Sequence, residues 1–422
     1  MPAPIRVYLD VENTLRVPFI SGIQRVVREL SRRLIDNNDS EFEFIPVVYC
    51  SYCNGWRRLS VDETEQLQEL SLSDAIVNHD IPAYRKIATK LLGKKVKAKV
   101  RSHFKRITHP VWHKNLLLPN FEAGSIFLDL DASWHNELKR SSLLPALKED
   151  GVYVVAFHYD IIPILFPDFT HENTISIFKE HLHAHLRFSN LFICISKNTE
   201  KDLLNYARMD CSQLNLKTAT LRLGSDINAS PIARDSAWPL PEKNLKYILC
   251  VGTLEPRKNH KLVLDAFDIL AIEDPVINLV IVGREGWHAQ EIVDRIRSHD
   301  LFNSRLFWLT GIENYVLNEL YRKARLVVVP SFYEGFGLPV TESLQNGCVT
   351  LASNAGSLPE AGNKFCEYFS PDNLAEFIEK LQFYFNDEAG HRNRRRSLMQ
   401  YIPDTWDSAS KMLVDILKDF DN

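Results

Sequence analysis

Short apolar runs alternate with amphipathic helical patterns along most of the chain. In the first half, the helical pattern is clearest at Ser21–Leu34, where apolar residues recur on one face after a good N-cap serine. Continuous apolar runs of this length are typical of strands that are buried on both faces. The predicted strands are Ile5–Asp10, Phe42–Tyr49, Ser125–Leu130, Val152–Phe157, Leu191–Ser196 and Thr218–Leu223.

The same alternation starts again after residues 224–243, a stretch with three prolines and several small polar residues. Repeated strand and helix patterns predict an α/β protein with parallel sheets. We predict an amino-terminal domain at residues 1–235, a second domain at 236–402, and a last helix at 403–422 that packs back on the first domain. Strands are expected at Tyr247–Val251, Val276–Val282, Arg305–Thr310, Leu326–Val329 and Val349–Ser353, with helices at His260–Ile272, Ala289–His299, Val316–Lys323 and Trp406–Phe420.

The most informative stretch runs from Arg325 to Glu342. A buried strand is followed by the string Glu-Gly-Phe-Gly-Leu-Pro and then by a helix, and it carries two acids, Glu334 and Glu342. Open α/β sheets bind ligands where the carboxyl end of a strand meets a helix, and glycines there let a ligand approach the backbone. Acids at a helix start are also favourable without any ligand, so the two glutamates alone do not establish a site.

A second stretch, Leu249–His260, delivers Arg257 and Lys258 after another buried strand. Two cations at a strand-to-helix junction suit a diphosphate, although such a pair is often only solvated. A third stretch, Val154–Pro163, places His158 and Asp160 at the end of a strand, where a hydrogen-bonded histidine and a turn-capping aspartate are the structural alternative. Lys197 and Asn198 follow a further strand and are weaker candidates for acceptor or phosphate contact.

The string around Glu334, the second acid eight positions later, and Gly-Thr-Leu-Glu-Pro-Arg-Lys-Asn-His around Arg257 resemble the retaining glycosyltransferases of family 4. The resemblance implies the GT-B fold, two Rossmann-like domains that face each other across a cleft. It implies a nucleotide-diphosphate-sugar donor and a saccharide or lipid-linked saccharide acceptor, as in surface polysaccharide or O-antigen synthesis.

The same resemblance assigns roles to individual residues. Asp160, then His158, would face the reacting sugar. Family members carry His-Asp-Leu-Ile-Pro or Tyr-Asp-Leu-Ile-Pro at this point, whereas this chain has Tyr-Asp-Ile-Ile-Pro with His158 one position earlier, and this departure leaves the choice open. Glu334 would act on the sugar, and Arg257 and Lys258 would neutralise the leaving diphosphate. The implied donor-binding set is Gly22, Arg257, Lys258, Ile312, Glu334, Gly335, Phe336, Gly337, Leu338 and Glu342, with Glu342 on the ribose, Ile312 near the base and Gly22 by the diphosphate.

No cofactor and no metal ion are expected. Asp129 and Asp131 have the Asp-x-Asp spacing of metal-dependent glycosyltransferases, but they lie far in sequence from the diphosphate elements. We interpret them as polar residues at a strand end, and we expect cations of the protein to do the work that a metal does elsewhere.

A basic segment interrupts the first half, since no acid occurs between Asp80 and Glu122. It is either a solvated insertion or a contact for anionic lipid or for a lipid-diphosphate acceptor. The net charge of -4 gives no indication of nucleic acid binding, and the start of the chain lacks the pattern of a secretory signal, so we expect a cytoplasmic protein, peripheral on the inner membrane face if the segment binds lipid. The candidate contact residues are Lys94, Lys95, Lys97, Lys99 and Arg101.

Two alternatives stay open from the sequence. One is a nucleotide-sugar 2-epimerase of similar fold, although that family lacks the Glu-Gly-Phe-Gly-Leu-Pro string. The other is a non-catalytic scaffold that keeps the fold, against which the four charged residues Arg257, Lys258, Glu334 and Glu342 speak.

Overall fold

The computed structural model describes residues 3–17, 20–37, 39–51, 53–69, 116–118, 120–210, 215–227, 238–241 and 245–421. Contacts divide the chain into two compact units. Unit 1 comprises Met1–Phe157 and Arg187–Asn190, and unit 2 comprises His158–Leu186 and Leu191–Asn422.

Unit 1 is built on strands in the order β3-β2-β1-β4-β5. Neighbouring strands are parallel except β3, which pairs antiparallel with β2. The strands are β1 (Ile5–Asp10), β2 (Phe42–Cys50), β3 (Gly55–Arg58), β4 (Ile126–Asp129) and β5 (Tyr153–His158), and the helices are α1 (Glu12–Arg16), α2 (Gly22–Ile35), α3 (Val61–Gln68) and α4 (Arg140–Glu149).

Helix α2 shows how the local sequence sets an element. The side chain of Gln24 accepts a hydrogen bond from the backbone N–H of Ser21 at 3.3 Å, as in a capping box, so the helix begins directly after Ser21. Val27, Leu30 and Leu34 are buried, as the apolar spacing predicts.

Unit 2 contains a six-stranded, fully parallel sheet in the order β10-β9-β8-β11-β12-β13, together with the parallel pair β6 and β7. These strands are β6 (Leu191–Cys194), β7 (Thr218–Thr220), β8 (Tyr247–Val251), β9 (Asn278–Val282), β10 (Leu306–Leu309), β11 (Leu326–Val329), β12 (Thr350–Ser353) and β13 (Glu367–Phe369). The helices are α5 (Ile162–Leu165), α6 (Glu172–Phe188), α7 (Lys197–Asp210), α8 (His260–Glu273), α9 (Gln290–Arg297), α10 (Asn314–Lys323), α11 (Leu338–Gln345), α12 (Leu358–Gly362), α13 (Leu374–Asn386), α14 (Glu388–Ser397) and α15 (Trp406–Asp421).

The central strands of the six-stranded sheet are buried on both faces. In β11, Leu326 and Val328 belong to one hydrophobic cluster, and Val327 and Val329 belong to the cluster on the other face. The α/β class with parallel sheets is therefore confirmed. The strand order reverses between β8 and β11, which makes the carboxyl ends of these two strands the topological switch point of the sheet.

The structure also corrects the sequence analysis in places. The antiparallel strand β3, the short helix α1 and the edge strand β13 were not predicted, and several predicted strands are shorter at one or both ends. Among the residues described, no helix combines the length and apolar character needed to cross a bilayer.

The domain boundaries stay a prediction, because residues 228–237 and 242–244 of the expected linker lie outside the described residues. Near the last helix, the guanidinium of Arg222 pairs with Asp404 at 2.7 Å. The carboxylate of Asp226 accepts the backbone N–H of Trp406 at 2.7 Å. Segment 222–226, directly after β7, thus holds the start of α15.

Candidate functional site

The candidate site forms where the loops after β8 and β11 meet. Ile248 to Cys250 pair in parallel with Leu326 to Val328, so the two loops leave the same edge of the sheet side by side. The β8 loop carries Arg257 and Lys258, and the β11 loop carries Glu334. The two stretches that the sequence singled out are therefore neighbours in space.

Asn259 fixes the loop that carries the two cations. Residues Pro256–Lys258 form one turn of 3₁₀ helix, and Asn259 follows with a φ of 54°, in the left-handed region that asparagine tolerates better than most residues. Its side-chain amide donates to the carbonyl oxygens of Pro330 at 3.3 Å and Pro371 at 2.9 Å. The loop is thereby attached to the end of β11.

Glu334 joins the two cations. Its carboxylate accepts hydrogen bonds from Arg257 Nη1 at 2.9 Å and from Lys258 Nζ at 2.6 Å. Ser331 Oγ donates to the same carboxylate at 2.6 Å. The three charged side chains are between 9% and 16% exposed, so this is a largely buried ion cluster.

Arg257 has two further acceptors, which fix the plane of its guanidinium. Nη2 donates to Glu255 at 2.6 Å, and Nη1 also donates to the carbonyl oxygen of Tyr333 at 2.5 Å. In addition, the backbone N–H of Phe332 donates to the carbonyl oxygen of Arg257 at 2.9 Å. A guanidinium held on several sides is a rigid donor for an oxyanion.

The charges of the cluster control its protonation. Burial alone would raise the pKa of Glu334, but the charges of Lys258 and Arg257 and their hydrogen bonds outweigh it and lower this pKa to about 2. Burial alone would lower the pKa of Arg257, but Glu334 and Glu255 raise it above its ordinary value. At neutral pH the cluster therefore holds a carboxylate between two cations.

The residues after Glu334 form a tight turn into α11. A Cβ on Gly335 would come within 2.6 Å of the carbonyl oxygen of Tyr159, so only glycine fits there. Gly337 has a φ of 104° and precedes α11, and Phe336 between the glycines is buried. Leu338 begins the helix, whose first amides are of the type that binds anions or hydroxyl groups.

Asp160 lies beside this turn. A Cβ on Gly335 would stand 3.3 Å from Asp160 Oδ2, and the other carboxylate oxygen of Asp160 accepts the backbone N–H of Ile162 at 3.0 Å. Burial raises the pKa of Asp160, with partial relief from that N–H and from the charge of Arg257. Asp160 and the Arg257 cluster are thus close enough to interact electrostatically.

His158 has different surroundings. It is buried, and burial, with a smaller effect of His185, lowers its pKa to about 3. Its ring lies edge-on to Phe192, with centroids 6.4 Å apart, and Nε2 has no hydrogen-bond partner among the described residues. The structure therefore associates Asp160, rather than His158, with the cluster.

Three other predicted site residues, Glu342, Ile312 and Gly22, have surroundings of their own. Glu342 is buried in α11 and accepts a hydrogen bond from Tyr321 OH at 2.8 Å. Ile312 packs partly buried against the hydrophobic cluster on one face of the sheet. Gly22 lies in unit 1 as the first residue of α2, where an added Cβ would meet no atom within 4 Å.

The β11 loop is also bonded to residues near β6 and α7, which the sequence analysis barely used. Ser196 Oγ donates to the carbonyl oxygen of Gly335 at 2.7 Å, and Asn198 Nδ2 donates to Tyr333 OH at 2.8 Å. Tyr333 OH in turn donates to Asp202. Asn198, a weak candidate from the sequence, is therefore a support of the loop in this structure.

Two residues after β12 complete the support. Ser357 donates to the carbonyl oxygen of Glu334 through Oγ at 2.8 Å and through its backbone N–H at 3.1 Å. Glu360 accepts the backbone N–H groups of Lys197 at 3.1 Å and Asn198 at 3.3 Å. The only sequence signal for these contacts was a polar, glycine-containing stretch after a buried strand.

The acids proposed as ordinary strand-end residues are buried inside unit 1. Asp129 binds Arg140 Nε at 2.6 Å, and Asp131 accepts the hydroxyl of Thr14 at 3.0 Å. Both carboxylates thus have protein partners. The basic residues Lys94, Lys95, Lys97, Lys99 and Arg101 lie outside the described residues.

Parts of the chain are similar to known proteins. Residues 234–403 match the family described as glycosyl transferases group 1. The serotype-specific mannosyltransferase WbdA of Escherichia coli is 26% identical over 306 residues, which is 70% of this chain and 37% of the relative. The O-antigen chain mannosyltransferase B of Escherichia coli is 25% identical over 274 residues, 63% of this chain and 70% of that protein. The chain thus spans little more than a third of the WbdA relatives that it matches.

Solved structures share the fold over nearly the whole chain. Anabaena Alr3699/HepE in complex with UDP-glucose superimposes with a TM-score of 0.59 at 15% identity, covering 98% of this chain and 100% of that one. Sucrose-phosphate synthase from Thermosynechococcus elongatus gives 0.60 at 16% identity, covering 98% of both chains. At this level of identity the likeness concerns the fold, which is that of the GT-B glycosyltransferases.

Proposed function

The chain carries a domain of the glycosyl transferases group 1 at residues 234–403, and from this premise we propose that it transfers a sugar from a nucleoside-diphosphate sugar to a hydroxyl group of a glycan. The main support for the proposal is that Arg257 and Lys258 both donate hydrogen bonds to the carboxylate of Glu334 at the switch point of the sheet. Two fixed cations at this edge of an α/β sheet suit a pyrophosphate.

In the proposed donor complex the diphosphate replaces Glu334 as the hydrogen-bond acceptor of Arg257 and Lys258. Phosphate oxygens accept the hydrogen bonds of Arg257 and Lys258, and the Glu334 carboxylate then accepts hydrogen bonds from hydroxyl groups of the donor sugar. Ser331 remains as its protein donor. The backbone amides of Gly335 to Leu338 bind further hydroxyl groups of the sugar. Glu342 binds the ribose, Ile312 lies near the base, and Gly22 lies by the diphosphate.

The proposed roles of the residues follow from where charge develops in the transition state. The bond between the anomeric carbon and the diphosphate oxygen breaks, and Arg257 and Lys258 stabilise the negative charge of the departing diphosphate. The acceptor hydroxyl attacks the same face, and its proton passes to a diphosphate oxygen, so the sugar keeps its anomeric configuration. Asp160, beside Gly335, stabilises the positive charge on the sugar, while His158 contributes to the shape of the pocket wall.

We propose mannose as the first donor sugar to test and a surface polysaccharide or lipid-linked saccharide as the acceptor. Two mannosyltransferases among the relatives, one of them of O-antigen chains, support this choice. A structural neighbour binds UDP-glucose, so uridine and glucose belong in the same panel.

The proposal includes no metal ion. Arg257 and Lys258 supply the positive charge that a divalent cation supplies in other enzymes of this kind. Asp129 and Asp131, the pair with metal-binding spacing, are occupied by Arg140 and Thr14. We further place the enzyme at the cytoplasmic face of the membrane, with the basic residues Lys94 to Arg101 as one candidate contact.

A donor panel tests the function. The full chain is incubated with the uridine, guanosine and adenosine diphosphate derivatives of mannose and of glucose, with and without oligosaccharide acceptors. If the protein transfers sugar, the products are a nucleoside diphosphate and an extended acceptor. NMR of the new linkage is then expected to show the same anomeric configuration as in the donor. A new nucleotide sugar without acceptor would instead identify an epimerase, and no turnover of any donor, despite binding, would favour a scaffold.

A further inference from the structure

Helix α14 carries a row of exposed arginines. Arg392, Arg395 and Arg396 are exposed and lie at positions i, i+3 and i+4, so they share one face of the helix. Met399 lies in the 3₁₀ turn Leu398–Gln400 that directly follows the helix, and it is 87% exposed. Ile402 follows at 88% exposure. We call these five residues the α14 patch.

Within the part of the chain that the structure describes, the arginines of the α14 patch form no ion pair with an acid. Among the described residues, neither Arg392 nor Arg396 has an acidic group within ion-pair distance, and Arg395 donates to a carbonyl oxygen, that of Gly347. The acid at the start of the helix, Glu388, bonds to Arg325 and Lys246 instead. Like charges four positions apart disfavour a helix slightly, and an anionic partner would remove this repulsion.

The helix dipole explains only part of this arrangement. Arginines in the last turn interact favourably with the carboxyl end of a helix. That interaction gives no reason for two nearly fully exposed apolar side chains directly after them. Arginine next to exposed aliphatic groups is typical of segments that lie in the interface of an anionic bilayer, where phosphates accept from the arginines and apolar groups enter the acyl boundary.

The position of the helix suits such a contact. His391 of α14 bonds through Nε2 to the carbonyl oxygen of Arg325 at 2.7 Å, directly before β11. Arg395 contacts Gly347, shortly before β12. These contacts place α14 at the amino edge of the six-stranded sheet, whereas Arg257 and Glu334 follow the carboxyl ends of its strands. A surface bound at α14 therefore leaves the ion cluster uncovered.

We propose that the α14 patch binds an anionic lipid surface. The inference does not depend on sugar transfer and concerns a different surface from the basic residues at 94–101. Nucleic acid fits less well, because aliphatic side chains gain nothing from a phosphate backbone. The other possible ligand of the patch is an acidic protein, and the experiment below distinguishes it from a lipid surface.

The test is sedimentation of the full chain with vesicles, either of phosphatidylcholine alone or of an equimolar mixture with phosphatidylglycerol, at low and high salt. We expect binding to the anionic vesicles at low salt that weakens at about 1 M salt. The double substitution R392E/R396E is expected to weaken it at least about tenfold, and I402D about tenfold. Thermal midpoints and nucleoside diphosphate binding are expected to be unchanged in both variants.

Matched controls exist in the same unit. Ile272 is 87% exposed at the end of α8 and is followed by Glu273 and Asp274, so I272D removes an equally exposed apolar side chain that lies outside the α14 patch. R322E reverses an exposed charge on α10. Both controls are expected to bind vesicles like the wild type.

Three results would overturn the proposal. The first is no binding of the wild type to anionic vesicles at low salt, which would leave an acidic protein as the partner of the patch. The second is binding that the patch variants and the controls change equally. The third is binding abolished by K94E/K95E/K97E and unchanged by the patch variants.

Discussion

The carboxylate of Glu334 accepts a hydrogen bond from Lys258 Nζ at 2.6 Å, so an acid expected on the sugar and a cation expected on the diphosphate bind each other. Arg257 joins the same carboxylate. In this arrangement Glu334 occupies the donors that we assign to the diphosphate. Donor binding must therefore exchange one anion for another, and this exchange has measurable consequences.

The substitution E334Q separates binding from transfer. Removing the negative charge frees Arg257 and Lys258, so we expect nucleoside diphosphates to bind at least as tightly as to the wild type. Sugar transfer is expected to fall by about 10² or more, because the sugar loses a charged partner. Titration calorimetry and a transfer assay measure the two effects.

Glu388 offers a matched control for this substitution. It also joins a lysine and an arginine, Lys246 and Arg325, but at the opposite edge of the sheet. E388Q is expected to leave both diphosphate binding and transfer unchanged. Diphosphate binding that is clearly weaker in E334Q would contradict the exchange.

Acid should remove the stabilisation that Glu334 provides. Its pKa of about 2 lies below the ordinary value of 4.5, so its contribution to the free energy of unfolding is complete above pH 4.5. It is lost as the pH falls from there to about 2. We expect E334Q to be less stable than the wild type by about 3 kcal/mol at pH 7 and by progressively less below pH 4.5. Urea unfolding at pH 7, 4 and 3 measures this, and a difference that does not change with pH would argue against the ion cluster.

We do not expect a lysine at position 257 to perform the function of Arg257. The guanidinium donates to Glu334, Glu255 and the carbonyl oxygen of Tyr333, whereas an ammonium group cannot present donors in that fixed plane. We predict that R257K loses about 10² in kcat/KM, nearly as much as R257A. R322A, on an exposed ion pair with Glu319, is the control. Transfer by R257K at the wild-type rate would show that the extra hydrogen bonds do not matter.

Gly335 and Gly22 should respond differently to alanine. In G335A the new Cβ would stand 2.6 Å from the carbonyl oxygen of Tyr159, so the loop must move, at a cost of about 1–3 kcal/mol, and transfer should fall. In G22A nothing obstructs the Cβ, so stability is expected to be retained. If Gly22 lies by the diphosphate, G22A raises KM for the donor with normal folding. Thermal unfolding and donor kinetics distinguish the two, and a G335A protein with unchanged transfer would remove Gly335 from the site.

Transfer is expected to continue in the presence of a chelator. Because two protein cations are assigned to the leaving diphosphate, an excess of EDTA should change kcat/KM by less than about twofold, since the electrostatic stabilisation is already in place. The protein is first dialysed against EDTA, then assayed with and without added Mg²⁺ or Mn²⁺. Activity that requires added metal would contradict the assignment to Arg257 and Lys258.

The sequence was sufficient for the framework of the site. The apolar runs of β8 and β11 predicted strands buried on both faces, and the charged residues after them predicted which loops would meet at one edge of the sheet. Parallel neighbours bring such loops together, so Arg257, Lys258 and Glu334 were expected in one place. The comparisons add the family of residues 234–403, in agreement with the resemblance in the motifs.

The remaining features depend on contacts that a linear pattern does not encode. Ser331 and Glu255 stand only three and two positions from Glu334 and Arg257, but nothing in their residue types indicates that their side chains bond to these charges. The support of Tyr333 by Asn198 joins residues that are 135 positions apart. The edge strand β3 was missed because its four residues include two arginines, which hide the strand pattern.

Titration calorimetry of nucleoside diphosphates against the wild type, R257A and K258A tests the central claim most directly. The account predicts that at least one diphosphate binds the wild type, and that each substitution weakens its binding at least about tenfold, because one charge-assisted hydrogen bond to phosphate is lost. The corresponding nucleoside without phosphates should bind all three proteins alike. Equal diphosphate affinity in the wild type and both variants would contradict the account.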